Sequence, residues 1–204
     1  MLSRKASPLR IYVFYSYLSL CMNMVHPVTP TLVHELGFSS LLYSSLSSTL
    51  ALTNFLCAPV WGYYSDRHGR RPVLLVGTVM YACSQFLFSR ATTVPVLLIA
   101  RLCGGIGSAG YITAALAYIV DVSGPEARGR NLAVFTALTS ISSSFGYLAG
   151  GLLGTISVQT TFFVQLTLLS TCALLGYFIL GESRDRQAIL LSRADLTAKK
   201  FYDF

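Results

Sequence analysis

The chain has 204 residues, of which 53% are hydrophobic and only 11% are charged, and its formal net charge is +7. A soluble domain carries about 25% charged residues, so this composition excludes an ordinary soluble protein and indicates a polytopic membrane protein. Thirteen of the fifteen Lys and Arg residues lie in segments 4–10, 67–71, 128–130 and 184–200. These basic segments alternate with loops that carry almost no base, so the charge indicates membrane orientation and not a nucleic acid partner.

Apolar runs of the length that crosses a bilayer, about 20 residues, predict an all-α membrane protein with six transmembrane helices. The predicted spans are 10–32, 40–62, 72–90, 94–119, 131–154 and 160–181. We expect residues 1–181 to form one six-helix bundle and residues 182–204 to form a cytoplasmic tail or the start of an interdomain linker. The even number of crossings and the basic segments predict a multi-pass protein with both termini in the cytoplasm. We expect it to lie in the plasma (inner) membrane.

The first span carries a polar stripe. Its members, at intervals of four, three, four and three residues, are Tyr12, Ser16, Ser19, Asn23 and His26. This spacing places them on one helical face, and unpaired polar groups are costly in lipid. The stripe therefore faces either a water-filled cavity, which we favour, or hydrogen-bond partners on other helices. Asn23 and His26 are the cavity candidates, and for His26 a structural role at the membrane interface stays open beside proton or substrate binding.

The second and third spans carry less information about a site. Asn54 in the second span either lines the cavity or forms a hydrogen bond between helices, and the second interpretation is favoured. The third span, with little polar content, is predicted to face mainly lipid. All five cysteines of the chain fall inside apolar runs without a C-x-x-C pair. We therefore expect small buried thiols, with no disulfide framework and no metal site.

A charged stretch separates the second span from the third. It reads Gly62-Tyr-Tyr-Ser-Asp66-Arg67-His-Gly69-Arg70-Arg71. Charges at this density do not lie in hydrocarbon, so the stretch is predicted to be a short cytoplasmic loop. In it, Gly62 allows a close backbone approach, Gly69 allows a positive φ, and Asp66 can bind helix N-terminal amides and an arginine. The spacing resembles the signature of the major facilitator superfamily between helices 2 and 3. A charged loop that serves only topology is the alternative.

The fourth span holds Arg101, a base deep in an apolar segment. A buried guanidinium is expensive, so it is expected to face a polar interior or a partner. Arg101-x-x-Gly-Gly105-x-Gly107 resembles the second superfamily motif, on helix 4, whose Arg is linked to proton coupling. The resemblance also implies that the acid at the end of this helix, here Asp121, pairs with Arg70. A purely structural role for Arg101 is the alternative.

The fifth span carries a ridge of small residues, each four positions from the last: Ser142, Gly146, Gly150 and Gly154. Such a ridge is suited to close packing against another helix, which we expect in a second bundle. The sequence from Gly146 to Gly151 resembles the superfamily motif Gly-Pro-x-x-Gly-Gly, which is associated with antiporters. Tyr147 replaces the proline of that motif, so the kink that proline imposes is not predicted here.

The resemblance implies the N-terminal half of a major facilitator transporter, most like the drug:proton antiporter branch. Its implied partners are the lipid bilayer, a small-molecule substrate and a second six-helix bundle, which is either a missing C-terminal half or another copy. No cofactor is implied, and the proton gradient would drive transport. Asp66 and the loop arginines would form a latch between the two bundles. No Asp or Glu lies within a predicted span, so proton binding would use His26, Arg101-linked water or the second half.

Two other functions stay open: half of a facilitator or symporter for a nutrient, and a non-transporting truncated or accessory half. Dependence of flux on the proton gradient separates the facilitator from the antiporter. An enzyme is not predicted, because the sequence has no phosphate-binding Gly-rich loop followed by Lys and no nucleophile–base pair on accessible loops.

Overall fold

The computed structural model describes residues 6–183, and within that range every regular element is helical. The helices are α1 (Pro8–Asn23), α2 (Thr29–Glu35), α3 (Ser40–His68), α4 (Arg70–Arg90), α5 (Val94–Asp121), α6 (Arg128–Gly154) and α7 (Val158–Ile179), with a 3-10 turn at Pro125–Ala127. The predicted all-α class is confirmed, and α3, α4, α5, α6 and α7 are each long and apolar enough to cross a membrane. Of the predicted tail at 182–204, residues 184–204 lie outside the described residues.

The first predicted span, 10–32, is not one continuous helix. α1 ends at Asn23, and a series of turns at 24–28 separates it from α2. Pro27 has no backbone N–H and its ring clashes with the preceding turn of a helix, so the helix ends before it. The carbonyl of Asn23 instead accepts the N–H of His26 at 3.3 Å. α1 alone has 16 residues, a rise of about 24 Å, which is shorter than the hydrocarbon core of a typical bilayer, about 30 Å. The first of the six predicted crossings is therefore not formed by a single helix.

The predicted loop at 62–71 is almost entirely helical. α3 continues to His68, beyond the predicted end at residue 62, and α4 begins at Arg70, so Gly69 alone separates the two helices. Gly69 has a φ of 98°, the positive value predicted for it, which other residues rarely adopt. The prediction of a loop is wrong because charged side chains rule out a position in the hydrocarbon but do not rule out a helical backbone. The helix continues beyond the lipid with its backbone hydrogen bonds formed.

Glycines let α5 pack closely against both α4 and α3. A Cβ on Gly77 of α4 would lie 2.7 Å from the carbonyl oxygen of Gly107, and a Cβ on Gly105 would lie 2.6 Å from the carbonyl oxygen of Leu50 in α3. The prediction that the third span faces mainly lipid is wrong, since 44% of the apolar window of α4 is buried. Its packing depends on Gly77, which a count of polar side chains does not detect.

The small-residue ridge of α6 packs against α1 and the turns that follow it. The pairs are Gly146 with Leu20, Gly150 with Met24, and Gly154 with Val28. At Gly146 and Gly150 a Cβ would overlap a backbone carbonyl oxygen of the α1 segment. Ser142 lies half-buried one turn before Gly146. The expectation that this ridge packs on a second bundle is therefore wrong: the ridge joins two helices of the same bundle, at the point where Pro27 breaks α1.

The cysteines are less uniformly buried than predicted. Cys21 and Cys172 are buried, Cys57 and Cys103 are half-buried, and Cys83 is exposed. The prediction of buried thiols therefore holds for two of the five. A thiol is apolar enough to face lipid as readily as a protein interior, so an apolar run does not fix its burial.

The ridge gives a direct test of packing, because Gly150 and Gly151 are neighbours with opposite surroundings. A Cβ at Gly150 would overlap the carbonyl oxygen of Met24, whereas nothing lies within 4 Å of a Cβ at Gly151. We expect Gly150→Ala to lower the free energy of unfolding by about 1–3 kcal/mol, the usual cost of overpacking. Gly151→Ala is the matched control and should unfold like the wild type. Thermal unfolding in detergent measures both, and equal melting temperatures for the two variants would contradict the assigned packing.

Candidate functional site

Four charged side chains meet at one end of the bundle, and we call this group the charged junction. Its members are Asp66 of α3, Arg70 of α4, Asp121 of α5 and Glu182, which follows α7. The Nη1 atom of Arg70 lies 2.7 Å from Oδ1 of Asp66, and its Nε donates to Oδ2 of Asp121 at 2.8 Å. Arg70 is only 9% exposed. One planar guanidinium thus bridges two carboxylates, a geometry that Lys cannot reproduce.

Hydroxyl groups complete the surroundings of this guanidinium. Nη1 of Arg70 also donates to the hydroxyl of Ser65 at 3.2 Å. The hydroxyl of Ser183 donates to Oδ2 of Asp121 at 3.3 Å. The pairing of Arg70 with Asp121, which the resemblance implied, is therefore part of a larger network that joins the ends of α3, α4 and α5 to the chain after α7.

Glu182 supplies a contact that the sequence did not indicate. Its carboxylate accepts the backbone N–H groups of Arg70 at 2.8 Å and Arg71 at 3.3 Å. These are the first amides of α4, which have no partner within the helix and carry its positive dipole end. The hydroxyl of Tyr118 donates to the carbonyl of Gly181 at 2.9 Å and holds this segment in place. For α4, Glu182 thus fills the role of helix N-terminal acceptor that we had predicted for Asp66.

Glycine is required at position 69 for two reasons: its positive φ, and the close approach of the Glu182 carboxylate. A Cβ on Gly69 would lie 2.7 Å from the carboxyl carbon of Glu182. The only earlier signal for Glu182 was an acid directly after the last apolar run, which we had assigned to the start of the tail. Because the contact joins residues more than a hundred positions apart, no local pattern predicts it.

The other arginines of the charged stretch pack on tyrosine rings. The guanidinium carbon of Arg67 lies 3.7 Å from the ring centroid of Tyr63, and that of Arg71 lies 5.1 Å from the ring of Tyr177. Arg71 also donates to the carbonyl of Tyr177. Gly62 makes no unusually close approach, because a Cβ there would meet a methyl group of α5 at 3.7 Å. The close approach predicted for Gly62 is therefore wrong.

A cavity of about 750 Å³ lies between α1, α3, α5 and α6, and α4 contributes one tyrosine to its wall. Its volume is in the range of sites that hold small organic molecules. The polar and aromatic residues of the wall are Tyr15, Ser19, Asn23, His26, Asn54, Tyr81, Ser108, Tyr111, Thr139, Ser140, Ser143, Ser144 and Tyr147. In the described part of the chain, no three His, Cys, Asp or Glu side chains lie close enough together to hold a metal ion.

The predicted cavity residues Asn23, at the end of α1, and His26, in the turns that follow it, lie on this wall and also contact α6. The side-chain amide of Asn23 donates to the hydroxyl of Ser143 at 3.0 Å. The ring of His26 lies 5.7 Å from that of Tyr147, the residue that replaces the proline of the antiporter motif. Asn54 combines both proposed roles, since it lines the cavity and donates to a serine of α5 at 2.7 Å. The cavity and the interhelical hydrogen bonds are therefore not exclusive alternatives.

Tyrosines are the cavity residues that sequence reasoning missed. The ring centroid of Tyr111 lies 6.3 Å from that of Tyr15 and 5.8 Å from that of Tyr81, so the three rings form a connected aromatic group. Gln85 donates to the hydroxyl oxygen of Tyr81 at 2.9 Å. None of these three tyrosines falls on the spacing of the polar stripe in the first span, so the aromatic part of the wall gave no signal.

Arg101 is buried beside the cavity and is not part of its wall. It is 5% exposed, and its guanidinium carbon lies 3.8 Å from the ring centroid of Phe88. Its Nε atom has no hydrogen-bond partner, and within residues 6–183 no carboxylate forms an ion pair with it. The expected partner of this guanidinium is thus a desolvated ring, which it contacts through a cation–π interaction, and the guanidinium does not line the polar cavity.

Comparisons with known proteins agree with this architecture. The family model of the Major Facilitator Superfamily matches residues 11–200. The class C tetracycline resistance protein of Escherichia coli is 35% identical over 166 residues, which are 79% of this chain and 41% of that protein. Multidrug resistance protein 1 of Bacillus subtilis is 29% identical over 170 residues, 83% of this chain and 43% of that protein.

The fold is similar to that of solved transporters. The crystal structure of the human organic anion transporter MFSD10 (TETRAN) matches with a TM-score of 0.74 at 21% identity, covering 89% of this chain and 48% of that one. A bacterial homologue of the human lysosomal transporter Spinster matches with a TM-score of 0.72 at 16% identity, covering 86% and 42%. The chain therefore spans less than half the length of each protein that it matches here.

The bridge between Arg70 and Asp121 can be tested by a double-mutant cycle. Arg70→Ala removes the cation that two carboxylates share and should lower the free energy of unfolding by about 3 kcal/mol. Asp121→Ala leaves Arg70 paired with Asp66 and should cost less, about 1–2 kcal/mol. The double variant should lose little more than Arg70→Ala alone, which gives a coupling energy of about 1–2 kcal/mol. Arg90→Ala, at the far end of α4, is the control and should be additive with Asp121→Ala. Additivity of the Arg70 and Asp121 variants would show that the pair has no net coupling.

The contact of Glu182 with α4 predicts a loss of stability in Glu182→Gln. The amide keeps the shape of the side chain but loses the charge that binds the helix N-terminus, so we expect a loss of about 1–2 kcal/mol. Backbone hydrogen exchange at the start of α4 should accelerate. Glu126→Gln, in the exposed 3-10 turn, is the matched control and should change neither quantity. If the two variants behave alike, Glu182 does not cap α4 in solution.

Proposed function

The chain belongs to the major facilitator superfamily, and from this we propose that it is one six-helix half of a transporter that exports a small molecule in exchange for protons. Transport in this superfamily uses two bundles that move relative to each other around a central site. The chain covers 41% and 43% of two relatives that are named for tetracycline and multidrug resistance. A second bundle of comparable size would complete the protein.

The cavity is the observation that carries the proposal. α3 and α6 form two of its walls, yet only 6% and 11% of their apolar windows are buried, against 56% for α5. Helices that line a polar cavity and are otherwise uncovered present a surface for a second bundle. In the proposed transporter, this bundle would cover α3 and α6 and supply the other half of the substrate site.

The charged junction is the proposed latch. Arg70 ties α4 to α3 and α5 through two carboxylates, and Glu182 ties α4 to the chain after α7. These contacts would make one end of the bundle a rigid unit that rocks as a whole. Asp66, Arg67 and Arg71 would engage the second bundle in one state of the cycle and release it in the other, with Gly69 at the corner and Gly62 in the last two turns of α3.

Proton coupling is proposed to involve His26, with Asn23 and Arg101 beside it. Histidine is the side chain whose ordinary titration range includes physiological pH, and His26 lies on the cavity wall. Within the described residues the wall contains no carboxylate, so an acidic coupling residue would belong to the second bundle. The basic segments favour cytoplasmic termini, and the similarity to bacterial resistance proteins favours a plasma (inner) membrane location.

Reconstitution tests the proposal. In liposomes with a proton gradient, the purified chain alone should transport no tetracycline, because a single bundle cannot alternate access. Addition of the part of the class C tetracycline resistance protein that this chain does not match should restore proton-dependent, saturable flux. Asp66→Asn, inserted at equal abundance, should reduce this flux at least about tenfold, since the neutral amide binds Arg70 weakly. The complete relative is the positive control.

Each other result selects a different function. Flux from the chain alone would contradict the half-transporter proposal and indicate a working self-dimer. Flux that is independent of the proton gradient would indicate the facilitator. Correct insertion without flux in the presence of the second part would indicate a non-transporting accessory half.

A further inference from the structure

The cavity wall is rich in hydrogen-bond donors and carries no formal charge of its own. Its lining residues include four tyrosines, five serines, two asparagines and one histidine, and none of them is Asp, Glu, Lys or Arg. Any preference of this wall for charged ligands must therefore come from charges behind it. The described residues place one buried cation there, Arg101, which is 5% exposed.

Arg101 lies at one end of the faces that line the cavity. On α5 it precedes the lining residue Ser108 by seven positions, and on α4 its contact Phe88 follows the lining residue Tyr81 by seven. Seven residues are close to two helical turns, so each pair shares a face at a separation of about 10 Å along the axis. The charge of Arg101 is within electrostatic range of Tyr81 and of His26, which both line the cavity.

This cation is not neutralised by a carboxylate within residues 6–183. The two ion pairs found there both belong to Arg70, at the charged junction. Phe88 offers Arg101 a ring face, which stabilises the cation but carries no net charge. A buried charge without a counter-charge produces a positive potential in the low-dielectric space around it. The cavity therefore has a positive end, toward Arg101.

Phenol groups add donors to the same potential. The hydroxyl oxygen of Tyr81 accepts a hydrogen bond from Gln85, so its own O–H is available to donate. The rings of Tyr15, Tyr81 and Tyr111 form a connected group on the wall. Their faces can stack on an aromatic ligand, and their hydroxyl groups can donate to an oxygen that carries negative charge.

We propose that this half-cavity binds an aromatic substrate through an anionic oxygen group, a carboxylate or an enolate, directed toward Arg101, and that it disfavours permanent organic cations. This inference rests on the proposed function, since it assumes that the cavity is the substrate site. Beyond the proposed function, it specifies the charge of the substrate group that this bundle binds.

Three ligands with one ring system test the inference: anthracene-2-carboxylate, its neutral amide, and 2-anthrylmethyl(trimethyl)ammonium. Binding to the purified full chain in detergent is followed by quenching of Trp61, the single tryptophan of the sequence, which contacts α5 through the carbonyl of Ile106. The pH is kept well above the ordinary titration range of histidine. We expect the carboxylate to bind at least about tenfold more tightly than the ammonium ligand.

The variants separate the cavity from its charge preference. Ala51→Phe combined with Ser144→Phe fills the space from α3 and α6, at two exposed wall positions, and should abolish binding of all three ligands. Arg101→Gln should bring the carboxylate and ammonium affinities to near equality, whereas Arg101→Lys should keep the preference. Tyr111→Phe should weaken only the carboxylate, about threefold, and provides the test if Arg101→Gln does not fold.

The outcomes distinguish the inference from the proposed function. If the filled cavity loses all binding but the wild type prefers the ammonium ligand or shows no preference, the inference is overturned and the cavity remains the substrate site. A wild-type preference that Arg101→Gln retains, or an equal loss for all ligands in Tyr111→Phe, also overturns it. Binding that survives filling of the cavity overturns both. No binding at all overturns the inference alone, because the proposed transporter completes its substrate site with a second bundle.

Discussion

The guanidinium of Arg70 is the contact on which the charged end of this bundle depends. It is buried, and it bonds carboxylates from α3 and α5 while its own backbone amide is bound by Glu182. A planar guanidinium with several fixed donors can bond both carboxylates at once, and a flexible ammonium cannot. The φ of Gly69 follows from the same constraint, because the corner must bring Arg70 back toward α3 and leave room for Glu182. The density of charge in ten residues of sequence thus produces a rigid joint among four segments.

The sequence predicted the parts of this structure that local patterns determine. Apolar run length predicted the five helices that are long enough to cross a membrane, and the spacing around Gly69 predicted its positive φ. It did not predict where helices end: α3 continues through the charged stretch, while Pro27 breaks the first span, because run length reports lipid contact and not backbone pairing. Glu182 was missed because its partners lie more than a hundred residues away. The partner of the α6 ridge was misassigned because a small-residue face shows that a helix packs closely but not on what.

The cavity combines two demands that usually conflict in a membrane protein. Its polar groups must be satisfied in an apolar environment, yet they must remain available to a ligand. Hydrogen bonds such as those of Asn23 with Ser143 and of Asn54 with α5 meet the first demand and also join the helices. The tyrosine hydroxyls meet the second. Arg101, behind this wall, affects the cavity through its field and not through contact.

The central claim is that Arg70 couples the ends of α3, α4 and α5 and the segment after α7 into one unit. Hydrogen exchange of Arg70→Lys, compared with the wild type by mass spectrometry, tests this claim most directly, because lysine keeps the charge but loses the planar fork. We predict exchange about tenfold faster at all four ends together, with no change in α2 at the opposite end of the bundle. Acceleration confined to the peptide that contains residue 70, or no acceleration, would contradict the account.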